Sequence, residues 1–300
     1  MLIIEDEQFP NKWEIVYFVT SNCTNNCKHC WSKNNFLGTM VDLNVHERFF
    51  RKVKSEKIEQ IKISGGEATL YPKLPELISL IRKYIKPIVP VLIFSNGNIF
   101  FEKDGKAKSD EDIYVILHEI VGNNNNIHFH MSADEFHIMS FASKKNIEFN
   151  KAVHEYSKVI AAIIRLSKLS IINFKVKLHC NKGRLDYHRK NLFSDFSECE
   201  WENFFIKTEG LVRAGNAINL NGAENIEKSN RWSAFIIMGA EFSEMLTSTT
   251  RDVYHNTDKN YYLNETKDGK GAVVLGWWNL ISKNLIGGDV DDFIKAINGC

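Results

Sequence analysis

The stretch that decides the fold runs from Trp13 to Cys30, WEIVYFVTSNCTNNCKHC, followed from Ile58 by IEQIKISGGEATLYP. Trp13–Thr20 is rich in β-branched and aromatic residues and predicts a strand. Directly after it, Cys23, Cys27 and Cys30 stand at the spacing C-x3-C-x2-C. Three thiolates on one tight loop can hold three irons of a cubane cluster and leave the fourth open, whereas ordinary ferredoxin clusters use four cysteines. Two alternatives stay open at this point. One is a zinc site completed by His29, although structural zinc sites usually build two separated pairs of ligands and no second cysteine pair exists here. The other is a set of reduced structural thiols.

The second strand, Ile58–Ser64, ends in Gly65-Gly66-Glu67. Alone, this is a tight strand-to-helix turn. Glycines also let a ligand lie against the backbone, with free carbonyls to accept from an ammonium group.

Outward from this core, strands and helices alternate. The sequence predicts helices over Val45–Lys57, Leu74–Tyr84 (stopped by Pro87 and Pro90), Asp110–Ile120 and Ile147–Leu169. Further strands are predicted over Val91–Ser95, Ile127–Asp134, Ile171–Cys180 and Trp201–Lys207. Short connections and alternation predict a parallel α/β sheet, with the site at the carboxyl ends of its strands. After about Asn221 the rhythm is lost. Arg231–Leu246 reads as helical, Asn260–Thr266 and Ala272–Asn279 as a hairpin, and Asp289–Ile297 as a closing helix.

Side-chain alternation sorts the fourth strand into two faces. Ile127, Phe129, Met131 and Ala133 should face the helices, and His128, His130, Ser132 and Asp134 the interior. On the fifth strand Asn173, Lys175, Lys177 and His179 share one face, and Cys180 falls on the other, which counts against it as a hydrogen donor.

The cysteine motif, the Gly-Gly-Glu motif and their placement resemble the radical S-adenosylmethionine (SAM) superfamily over roughly Trp13–Asn216. The resemblance implies a partial (βα)6 barrel over residues 1–220. It implies one 4Fe-4S cluster on Cys23, Cys27 and Cys30, with SAM chelating the open iron. Gly65 and Gly66 would contact the SAM amino group and Glu67 support the turn. Ser95-Asn96 would lie at the ribose, Ser132 and Asp134 beside SAM, and Arg213 against the methionine carboxylate. His128, His130 and Cys180 are the catalytic candidates. The implied chemistry is reductive cleavage of SAM to a 5′-deoxyadenosyl radical that takes a hydrogen atom from substrate, with a flavodoxin- or ferredoxin-type electron donor. Residues 221–300 resemble in layout the SPASM and twitch extensions of peptide-modifying members, a small α+β cap, but carry Cys300 as their sole cysteine.

Composition narrows the partners. Lys and Arg total 38 against 37 Asp and Glu, a net charge of +1. That disfavours nucleic acid, which calls for a basic excess, and an anionic membrane surface. The longest apolar runs, such as Ile85–Phe94, are too short to span a bilayer. The N-terminal MLIIEDEQFP is acidic where a secretory signal is basic, which predicts a cytoplasmic protein. A peptide or small metabolite is the expected substrate. The alternatives are a glycyl-radical-enzyme activase and, from another class, a non-catalytic iron–sulfur or zinc protein.

Overall fold

The computed structural model describes residues 13–20, 22–28, 30, 43–169, 173–179, 207–209, 234–239, 261–265 and 271–278. Its backbone is an α/β alternation. Strand β1 (Trp13–Phe18) is followed by α1 (Leu43–Lys52), β2 (Ile58–Ser64), α2 (Leu74–Tyr84), β3 (Val91–Ser95), α3 (Asp110–Val121) and β4 (Ile127–Ser132). Then come α4 (Glu135–Lys145), α5 (Phe149–Leu169), β5 (Asn173–His179), β6 (Lys207–Glu209), β7 (Ala234–Gly239), β8 (Tyr261–Glu265) and β9 (Gly271–Trp278).

The strands form one sheet in the order β6-β5-β4-β3-β2-β1-β7-β9-β8. Neighbours from β6 to β9 pair in parallel, and β8 closes the edge antiparallel to β9. The first six strands therefore lie in sequence order, as short βα connections dictate.

One face of the sheet is the apolar core. Ile15, Tyr17, Ile61, Ile63, Val91, Ile93, Phe129 and Met131 are buried against helix residues such as Leu77, Ile78, Leu117 and Ile160. The alternation expected for β4 holds on this side: Ile127, Phe129, Met131 and Ala133 all belong to the core. The register pairs Phe94 with His130 and Ser132 with Lys177.

Three departures have physical causes. Residues 234–239, expected within a helix, form β7, paired in parallel with β1. Its sequence AFIIMG is a continuous apolar run. A short continuous apolar run reads equally as a strand or as a piece of buried helix, and periodicity does not separate the two. The hairpin of β8 and β9 forms as expected, but β9 also pairs with β7, so the C-terminal strands continue the main sheet. Finally, β4 stops at Ser132, and an unexpected helix α4 starts at Glu135, capped by Asp134. The predicted strand over Trp201–Lys207 and closing helix over Asp289–Ile297 fall mainly or wholly outside the described residues.

Candidate functional site

The carboxyl ends of β1, β2 and β3 meet at the cysteine loop. Gly65 has φ +147°, and a side-chain carbon on it would stand 2.3 Å from the Thr20 carbonyl oxygen. Glycine is therefore required for the β2 end to close on the β1 end. Gly66 N–H donates to Thr20 O at 2.8 Å, and Glu67 N–H donates to Asn22 O at 2.7 Å. The Gly-Gly-Glu turn thus grips the root of the loop.

The Glu67 carboxylate is 2% exposed. It accepts from Thr69 N (3.1 Å), Thr69 Oγ1 (2.6 Å), Ser95 Oγ (2.7 Å) and Asn96 N (2.6 Å). A buried carboxylate needs such donors to offset its lost hydration. Here they come from the turn itself and from the end of β3, so Glu67 ties β2 to β3. Ser95 and Asn96, expected at a ribose, are both buried and engaged in this clamp.

From the clamp a polar network runs into the loop. Asn96 Nδ2 donates to Thr24 Oγ1 (3.0 Å) and to Cys23 Sγ (3.7 Å). Asn98 Nδ2 donates to Thr24 Oγ1 (2.7 Å) and Asn25 Oδ1 (2.8 Å). Asn25 N–H donates to Cys23 Sγ at 3.4 Å. Tyr156, fully buried on α5, donates its hydroxyl to Asn96 O at 3.1 Å.

Helix α4 holds the loop from the other side. Ser140 Oγ accepts from Asn26 N at 2.8 Å, and Lys144 Nζ donates to Thr24 O at 2.6 Å. The N-cap Asp134 is fully buried. Its Oδ1 accepts from Phe136 N and His137 N, both at 3.0 Å, and its Oδ2 stands 2.7 Å from His137 Nδ1. Asp134, expected beside SAM, has both oxygens engaged at the start of α4, the helix that brings Ser140 and Lys144 to the loop. Between loop and helix lies a cleft of about 680 Å³, whose lining includes Cys23, Lys28, Phe136, Met139 and Lys144.

The thiols are close enough to influence one another. Burial pushes the Cys23 thiol up to about 12, with further contributions from Glu67 and Cys30. Burial also pushes Cys27 up, reinforced by Asp134, Cys23 and Cys30, while a hydrogen bond from Ser140 opposes the shift. Among the described residues no three Cys, His, Asp or Glu side chains form a ready-made metal cage. The donor set nevertheless fits a soft-metal cluster: three sulfurs on one tethered loop, with protons that metal binding would displace.

Of the other candidates, Ser132 is buried at the end of β4. His130 is buried with its ring edge-on to Phe94 at 4.9 Å, and His128 Nε2 lies 2.9 Å from Asn126 Oδ1. His29, Cys180 and Arg213 lie outside the described residues. Thr24, Asn25, Asn98, Ser140, Lys144 and Tyr156 were missed from sequence. The only signal for the asparagines was their crowding at two strand ends, which also reads as ordinary turn chemistry.

The model of one family, described as the Radical SAM superfamily, matches residues 17–195, more than half of the chain. The chain belongs to the radical SAM superfamily. Membership places it among enzymes that use S-adenosylmethionine. The matched region contains the cysteine loop, the Gly65–Glu67 turn, the β3 end and α4. Among curated proteins nothing matches. Among solved structures, Streptococcus suis SuiB bound to precursor peptide SuiA shares 15% identity over 69% of this chain and 40% of that one, TM-score 0.45. The anSMEcpe structure with AdoMet and the Cp18Cys peptide shares 17% over 67% and 51%, TM-score 0.45. BtrN with AdoMet and 2-DOIA shares 17% over 40% and 45%, TM-score 0.31. The chain spans about half the length of the structures it matches.

Proposed function

We propose that this radical SAM protein carries one 4Fe-4S cluster on Cys23, Cys27 and Cys30 and reductively cleaves SAM to abstract a hydrogen atom from a peptide or small metabolite, a peptide being favoured. When bound, cluster and SAM supply the electron transfer and radical chemistry; the protein binds, orients and shields. The observation that carries this reading is the joining of the three-thiol loop to the Gly65–Glu67 turn at the carboxyl ends of β1–β3. Ligands of parallel α/β sheets bind at such ends.

The chain's own residues then divide the work. Cys23, Cys27 and Cys30 hold the cluster. Gly65 and Gly66 offer backbone to the SAM amino group, while Glu67 fixes their turn through its four accepted hydrogen bonds. Ser95, Asn96, Ser132 and Asp134 line or brace the SAM cradle, and Arg213 pairs with the methionine carboxylate. His128, His130 and Cys180 are candidates for contact with substrate. Residues 1–220 close as a partial (βα)6 barrel. Residues 221–300 form a C-terminal extension, similar in layout to the SPASM and twitch extensions but without their cysteines, whose strands β7, β9 and β8 prolong the sheet beyond β1, and that likeness supports a peptide substrate. A net charge of +1 speaks against nucleic acid. A cytoplasmic flavodoxin- or ferredoxin-type protein supplies the electron.

Anaerobic reconstitution tests the proposal. The full chain should take up about four irons, one cubane. Dithionite and SAM should then yield 5′-deoxyadenosine and methionine by liquid chromatography and mass spectrometry. Uptake near twice that iron, or a cubane retained after replacing all three cysteines by alanine, would sink it.

A further inference from the structure

We propose that the side-chain amide of Asn25 is a hydrogen-bond donor to sulfur at the cluster and raises the potential at which the cluster accepts its electron. This rests on the reading that Cys23, Cys27 and Cys30 hold that cluster. Asn25 lies midway between Cys23 and Cys27 and is 5% exposed. Its backbone N–H already donates to Cys23 Sγ at 3.4 Å. Its Oδ1 accepts from Asn98 Nδ2 at 2.8 Å, an arrangement in which rotating the Asn25 amide alone would set two N–H groups against each other. Its Nδ2 is consequently turned away from Asn98, buried and without a hydrogen-bond partner among the described residues. Native chains seldom bury an N–H donor unmet, and each instance calls for a missing partner or a role.

The neighbourhood says what that partner is. The residue lines the same cleft as Cys23. Cys23 Sγ also receives Asn96 Nδ2 at 3.7 Å, and the Ser140 hydroxyl is bonded to Cys27. The loop is thus already furnished with donors to sulfur, and among the described residues the Asn25 side-chain amide is a buried donor without a partner. Thiolate and sulfide sulfurs are acceptors whose negative charge grows on reduction. Hydrogen bonds to them favour the reduced cluster and shift its potential upward. Asn25 is on this account a positioning and tuning residue, distinct from the three ligands.

The test is a redox titration of the reconstituted full chain, followed by electron paramagnetic resonance, for wild type, Asn25→Ala and Asn25→Asp. Asparagine-to-aspartate keeps the acceptor for Asn98 but replaces the N–H by a charged oxygen. Both variants should load the same iron as wild type. Both should reduce at lower potential, aspartate lowest, with the ratio of reduced to oxidised cluster at a fixed poise falling at least about tenfold. For a one-electron couple tenfold corresponds to about 59 mV. Loaded variants that titrate at the wild-type potential overturn the inference. Folded variants that both fail to load iron overturn it as well, by making Asn25 a purely structural residue. A wild-type chain that takes up no iron overturns the cluster reading itself, and the iron count shows that before any titration begins.

Discussion

Replacing Glu67 by glutamine changes one atom in a buried clamp, and its consequence follows from the partners. Oε1 accepts from Thr69 N, Thr69 Oγ1 and Ser95 Oγ, and Oε2 accepts from Asn96 N. Glutamine has one oxygen and one nitrogen, and the nitrogen only donates. The less costly arrangement leaves the oxygen on the three-donor side and sets the new NH2 against Asn96 N–H. That backbone group is then buried and unmet, at a cost of about 1–3 kcal/mol. The three remaining bonds lose charge assistance, and charged bonds are roughly twice as strong as neutral ones. Together these terms give a destabilisation of about 3 kcal/mol.

For a chain of this size each kcal/mol lowers the melting temperature by roughly 2–4 °C, so the expected fall is roughly 6–12 °C. Circular dichroism melts of the metal-free chain measure it without any cofactor. The loop should suffer too, because Asn96 carries the link from Glu67 to Thr24 and Cys23. Iron uptake should therefore fall together with stability, whereas a residue that served SAM alone would leave iron uptake intact. A glutamine variant melting within about 2 °C of wild type would refute the four-donor clamp.

Two further outcomes test the supports of the site. Asp134→Ala removes an N-cap, about 1 kcal/mol, and a charged hydrogen-bond acceptor for His137, about 1.5–3 kcal/mol, while Asp134→Asn keeps the cap because asparagine caps as well as aspartate. Urea melts should place alanine well below asparagine, and equal midpoints would contradict the capping role. At the surface, Arg165 donates two hydrogen bonds to Asp110, both at 2.8 Å, and holds its carboxyl below the usual range. A depressed carboxylate contributes stability above its unfolded value of about 3.9 and loses it as pH falls through the folded one. Because the pair is exposed, Asp110→Asn should cost less than about 1 kcal/mol near neutrality and nothing in strong acid, and a cost independent of pH would exclude the pairing.

Much of the first half of the fold was legible because pattern and punctuation agreed. Ile58–Ser64, Leu74–Tyr84 and Val91–Ser95 come out as expected. The buried run of α2 (Leu74, Leu77, Ile78 and Ile81) has helical spacing, and Pro87 and Pro90 forbid its continuation. Helix α4 was hidden for the opposite reason. Its buried residues are only Ile138, Phe141 and Ala142, too few for a clear stripe. Its strongest marker, Asp134, fitted the alternation of β4 equally well. A short acidic side chain after a strand serves as a cap or as a ligand, and the choice depends on whether a helix follows. Asn146, in the left-handed region at φ 52°, was the matching stop signal.

The site itself was legible in its covalent spacing and illegible in its supports. Cys23, Cys27, Cys30 and Gly65–Glu67 announce themselves by local sequence. Asn98, Ser140 and Lys144 lie more than seventy residues from the loop residues they bond, and nothing in their own neighbourhood distinguishes them from turn and helix-surface residues. Yet the loop depends on them. Between Asn22 and Cys30 the described backbone hydrogen bonds are those of Asn22 O with Glu67 N and of Cys27 O with Cys30 N. Thr24, Asn25 and Asn26 are fixed by side chains from β3's end and from α4 instead. A loop ordered this way has much of its conformational entropy removed by the fold before any ligand arrives, which lowers the cost of binding. The buried acids follow from the same need. Glu67 immobilises the β3 end that supplies Asn96, and Asp134 starts the helix that supplies Ser140 and Lys144, so each carboxylate acts on the cysteines through the residues it orients.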